Sequence, residues 1–192
     1  KGGLNNAQGN LPLGLRDRSI VEFAYSTGCR VGELFNLKIS DLDMFRKQAV
    51  VFGKGSKHRQ VLFGPSAREY LHQWLQVRSE FKKANTHNYV WTNKFGNRIS
   101  MAWIQQIVRT ARKEIGLPDN FTTHSLRHSF ATHMLDNGTD YRIIQDLMGH
   151  SSVETTMLYA KLGSKQLKDQ YLLAHPLANQ EEKEQAYQDT IS

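Results

Sequence analysis

The chain has 192 residues, 39% hydrophobic and 22% charged, the balance of an ordinary globular protein with room for one good-sized domain. A single cysteine, Cys29, excludes a disulfide framework and fits a reducing cytoplasm. No apolar run approaches the ~20 residues that a membrane-spanning helix needs, and a net charge of +7 fits a polyanionic partner such as nucleic acid.

In chain order, residues 1–14, "KGGLNNAQGNLPLG", read as a polar, glycine-rich linker left from a preceding domain. Residues 17–27 carry apolar side chains at helical spacing, with Asp17 as a cap and Gly28 as the stop. A short helix follows through "RVGELFNL". The period then changes. "QAVVFGKGSKHRQVLF" holds two β-rich runs around Gly53, Gly55 and Ser56, the signature of a hairpin. A helix is expected over 66–81, a short strand at "YVWT", a turn at "NKFGN" and a helix over 100–115, closed by Gly116 and Pro118. The rest is helical: 123–136 stopped by Gly138, 140–148 stopped by Gly149, then 152–160 and 165–173. The fold class is mainly α with a small antiparallel β-sheet (α+β). The folded unit is expected over 15–178, with a polar tail over 179–192.

One residue breaks the pattern of "HSLRHSFATHML". Leu126, Phe130 and Met134 form an apolar stripe, and at about 100° per residue Arg127 falls inside it, about 60° from His124. A charge on such a face must be paired, because an unpaired buried charge costs several kcal/mol. A structural salt bridge is one solution and an anion is the other. Thr122 and Thr123 are good caps, so backbone amides, an imidazole and a guanidinium share one helix end. Zinc is a poorer fit for His124, His128 and His133: Arg127 would repel a cation beside His124, and His133 points away. On this reading His128 is a supporting histidine and His133 an exposed one.

The chain resembles the catalytic domain of the tyrosine recombinase (phage integrase) family, in the style of its Xer-type and integron-type members. "TGCRVGEL" is similar to the first arginine box, "GKGSKHRQV" to the hairpin with the catalytic lysine, and "HSLRH" to the His-x-x-Arg box. "LMGHSSVETTMLYA" is similar to the box in which a histidine precedes the tyrosine nucleophile by nine residues. The resemblance implies that Arg30 and Arg127 hold the scissile phosphate, with His124 as a third contact. It implies Lys54 as general acid, His150 as a further hydrogen-bond donor and Tyr159 as nucleophile. Glu33 falls on an acidic position that braces the site. Each residue also has a plainer reading. Arg30 can pair with Glu33 at i, i+3, Lys54 can be a turn lysine with Lys57 and Arg59 as alternatives, His150 can cap a segment, and Tyr159 can be core. Their joint occurrence in family order carries the resemblance.

What it implies is site-specific cleavage and rejoining of double-stranded DNA through a 3′-phosphotyrosyl link. Neither metal nor ATP is required, because fixed cations stabilise the phosphorane and one phosphodiester replaces another. It further implies an N-terminal core-binding domain, and a homo- or hetero-tetramer on DNA held through the C-terminal helix around Leu167, Tyr171 and Leu172. That helix can equally pack on its own domain. The expected setting is cytoplasmic and nucleoid-associated. DNA relaxation of the type IB topoisomerase kind, or a non-cleaving DNA-binding regulator, are the alternatives.

Overall fold

The structure, a computed structural model, describes residues 11–53, 58–149, 171, 172 and 174. Lys54, Lys57, His150, Tyr159 and Leu167 lie outside the described residues, as do the expected helix 152–160 and the tail.

The described part is mainly helical with one small sheet. The helices are α1 (Leu11–Thr27), α2 (Val31–Asn36), α3 (Pro65–Arg78), α4 (Met101–Glu114), α5 (Thr123–Asp136) and α6 (Tyr141–Leu147). The strands β1 (Leu42–Asp43), β2 (Gln48–Phe52) and β3 (His58–Leu62) form an antiparallel sheet in the order β1-β2-β3. In the hairpin Val51 faces Arg59 and Phe52 faces His58. The alternating burial of β2 puts Ala49 and Val51 on the core side.

Local chemistry sets the helix ends. The Ser100 hydroxyl accepts from Trp103 N at 3.1 Å, Thr122 from His124 N at 3.2 Å, and Asp140 from Arg142 N at 2.7 Å. Gly28 ends α1 with φ of 60°. A β-carbon there would lie 2.7 Å from Phe130 Cδ1, so both the backbone and the packing of α1 on α5 demand glycine.

Two expectations fail. α1 begins at Leu11, ahead of Asp17, so residues 11–14 are helical and Asp17 is no cap. Asp17 sits within the helix and pairs with Arg16. Pro12 and Gly14 look like linker residues, but proline in a first turn lacks only an N–H that would be unpaired anyway. "YVWT" is not a strand of the sheet. Tyr89 bridges Lys38, Thr92 bridges Arg98, and Val90 N donates to Leu37 O at 3.0 Å.

The larger core joins α1, the sheet, α3 and α4 around Phe23, Phe63, Trp74 and Trp91, all buried. Both indoles find acceptors, Trp74 Nε1 at Val90 O (2.9 Å) and Trp91 Nε1 at Ser19 Oγ (2.9 Å). A second core gathers Leu62, Phe130, Met134, Ile144 and Leu147 with Tyr171, Leu172 and Ala174. Those last three residues therefore pack on their own chain. The two cores meet where α1 ends, α2 begins, β3 runs and α6 stops, and the charged residues collect there.

Candidate active site

Arg30 stands at the N-cap of α2, one residue after buried Cys29. Glu33, in the first turn, reaches back: its Oε2 accepts from Arg30 N at 2.7 Å and its Oε1 from Arg30 Nη1 at 3.3 Å. This pins the backbone at Arg30 while its side chain stays 45% exposed. Burial pushes the Glu33 carboxyl up, but the Arg59 and Arg30 contacts outweigh that and hold it below the ordinary carboxylate value.

Arg127 enters from α5. Its Nη1 donates to Gly28 O and its Nη2 to Met148 O, both at 2.5 Å. The residue is 4% exposed. Among the described residues it makes no ion pair. Among the described residues backbone carbonyls hold it and no carboxylate touches it, which leaves its charge open to an anion. Burial, then repulsion from Arg30 and Arg59, lowers its pKa to about 10, so it remains a cation at neutral pH.

Gly149 shows how tightly the segments meet. It ends α6 with φ of 66°, and a β-carbon there would lie 2.7 Å from Arg59 Cδ and 3.8 Å from Arg30 Nη1. Arg30, Arg59, Arg127 and Glu33 thus share one small volume with a net charge of +2 by type. Such a cluster attracts an anion with several oxygens, and guanidinium forks match phosphate geometry.

Of the other expected residues, His124 is exposed on the first turn of α5, capped by Thr122. The two neighbouring histidines exchange the parts assigned from sequence. His128 is exposed, whereas His133 is half-buried and its Nδ1 lies 2.7 Å from the Tyr25 hydroxyl. The helical wheel places His133 opposite His124, but α1 covers that side. Among the described residues no group of three or more His, Cys, Asp or Glu side chains converges to hold a metal, and no helix is long and apolar enough to cross a membrane. Sequence reasoning missed the inward turn of Arg59. A basic residue beside a loop looks solvent-facing, and the only hint was its place opposite buried Val51.

Fold and site together define a helical domain with a small sheet and a basic cluster at the junction of its two cores. The phage integrase family pattern matches residues 3–166, and the chain belongs to that family. It is similar to tyrosine recombinase XerC of Corynebacterium glutamicum, 43% identical over 174 residues, which cover 91% of this chain and 56% of that relative. Among solved structures, that of XerA recombinase is 34% identical with a TM-score of 0.67, covering 84% of this chain and 59% of that one. XerH site-specific recombinase bound to difH substrate, a pre-cleavage complex, is 25% identical with a TM-score of 0.67, covering 82% of this chain and 46% of that one. The chain thus spans little more than half the length of the relative, and about half of the solved chains.

Proposed function

We propose that this chain is the catalytic part of a site-specific tyrosine recombinase that cuts and rejoins double-stranded DNA. The observation that carries the reading is Arg127: a buried guanidinium with no carboxylate partner among the described residues, set beside Arg30 and Arg59. Such a site is costly unless an anion completes it. The likeness to a protein named as a tyrosine recombinase, and to a site-specific recombinase solved with its difH substrate, supports DNA phosphate as that anion.

In this reading Arg30 and Arg127 bind the non-bridging oxygens of the scissile phosphate, with His124 and His150 as further donors. Charge grows on those oxygens as the fifth bond forms, so fixed cations stabilise the phosphorane more than the ground state. The Tyr159 oxygen attacks phosphorus and passes its proton to His124, the bond to the 5′ oxygen breaks, and Lys54 protonates that oxygen. A 3′-phosphotyrosyl link and a 5′-hydroxyl result. Attack by a second 5′-hydroxyl reverses the steps on a new partner, with no net change in phosphodiester number. The reading extends to a further DNA-holding domain, to a homo- or hetero-tetramer on DNA and to a nucleoid-associated location in the cytoplasm. A tetramer held through Tyr171 and Leu172 would require them to leave the chain's own core.

The test uses nicked suicide duplexes with a randomised core, from which covalent protein–DNA adducts are recovered under denaturing conditions. Wild type should yield an adduct and Tyr159→Phe none. No adduct from wild type, or an adduct that survives in Tyr159→Phe, would overturn the assignment.

A further inference from the structure

Arg59 reads from sequence as a phosphate contact or a proton donor. In the structure its side chain turns inward and is 12% exposed. Nε and Nη2 donate to Glu33 Oε1 and Oε2 at 3.3 and 3.0 Å, and Nη1 donates to the Leu147 carbonyl. The Arg30 guanidinium shares the same carboxylate unequally, with one 3.3 Å bond from Nη1 and 45% of the side chain exposed. We propose that Arg59 is a positioning residue: by occupying both oxygens of Glu33 it keeps that carboxylate from capturing Arg30, whose guanidinium stays turned to the substrate phosphate. The proposal rests on the reading of Arg30 as a phosphate ligand.

Arg59 and Arg30 compete for one buried anion. Glu33 is 3% exposed and must have a cationic partner. A two-pronged guanidinium–carboxylate pair is the strongest arrangement available to it, and Arg59 supplies one. Without Arg59 the nearest replacement is Arg30, whose backbone N–H already holds Oε2 at 2.7 Å. Its side chain needs only a rotamer change to close on Glu33. Loss of Arg59 therefore acts like loss of Arg30, although Arg59 acts through Glu33. Lysine is a poor substitute, since one ammonium cannot span both oxygens and the Leu147 carbonyl.

The experiment is single-turnover cleavage of a suicide duplex recovered with wild type, using Arg30→Ala, Arg59→Met, Glu33→Gln and the double variant Glu33→Gln/Arg59→Met. Arg59→Met should cleave about 100-fold more slowly, the scale of losing one transition-state donor, with unchanged DNA affinity. The double variant should recover at least about 10-fold over Arg59→Met, because a neutral amide no longer draws Arg30 away. A double variant no faster than Arg59→Met would overturn the proposal, as would Arg59→Met cleaving at the wild-type rate. If Arg59→Met does not fold, the same comparison is read on Arg59→Lys with and without Glu33→Gln. Arg30→Ala cleaving at the wild-type rate would instead remove the phosphate-ligand reading beneath the proposal.

Discussion

Arg127 is held in place by oxygens that cannot neutralise it. Gly28 O and Met148 O orient the guanidinium but carry only partial charge. Burial first, and then the nearby charges of Arg30 and Arg59, lower its pKa to about 10. The sign follows from linkage. The folded protein releases this proton more readily than the unfolded chain, so the charged form opposes folding at neutral pH and that opposition fades above about pH 10. A bound anion removes the same opposition at pH 7. Sulfate or inorganic phosphate should therefore raise the thermal midpoint more than chloride at equal ionic strength, by mass action on the folded state. In Arg127→Lys the increment should shrink, because an ammonium cannot offer the fork, and cleavage should drop while the fold persists. Equal stabilisation of wild type and variant in differential scanning fluorimetry would show that the anion binds elsewhere.

At the scale of elements, two helix ends and one strand are brought close enough that side-chain volume decides the geometry. Gly149 is one tight point, and Gly149→Ala faces both a left-handed φ and a clash with Arg59. The conformational cost alone is about 1–2 kcal/mol. Relieving the clash must push Arg59 off Leu147 O or Glu33. The variant should melt lower and cleave far more slowly, whereas Gly116→Ala should change stability alone. Gly116 also has positive φ, but a β-carbon there meets nothing within 4 Å. Cleavage at the wild-type rate by purified Gly149→Ala would show that this approach is not needed.

The same elements show what a sequence reveals. The stripe of Leu126, Phe130 and Met134, the cap at Thr122 and the stop at Gly138 were legible because they are local and periodic. So were the hairpin and the place of Arg30 at the start of α2. What failed depended on distant partners. His133 is half-buried because α1 happens to cover it, and "YVWT" satisfies its backbone against Leu37 and Ile99 instead of a neighbouring strand. The inward turn of Arg59 escaped notice for the same reason, since the carboxylate that holds it lies 26 positions away.

For the whole molecule, net charge overstates what is offered to an anionic partner. Arg78 donates to Tyr89 O at 2.8 Å, Arg16 to Thr92 O at 3.0 Å and Arg112 to Phe121 O at 3.0 Å, while Arg98 lies over the rings of Phe35 and Tyr89 and donates to Phe35 O at 2.9 Å. These guanidiniums clip loops to helices. The site is tied to the far end of the chain by a similar clip. The Tyr171 hydroxyl lies 2.7 Å from Ser26 Oγ, which also accepts from Gly64 N at 2.7 Å, and Ser26 is four residues before Arg30. Tyr171 thus helps to fix the backbone that leads into Arg30. Tyr171→Phe keeps the ring in the second core and removes only the hydroxyl, so it should cost about 1 kcal/mol and lower the thermal midpoint by about 2–4 °C. If the tie also orients Arg30, single-turnover cleavage should slow by several-fold at temperatures well below the melt. A variant that melts earlier but cleaves at the wild-type rate would confine Tyr171 to stability, and would leave Glu33 and Gly28 as the groups that set the backbone at Arg30.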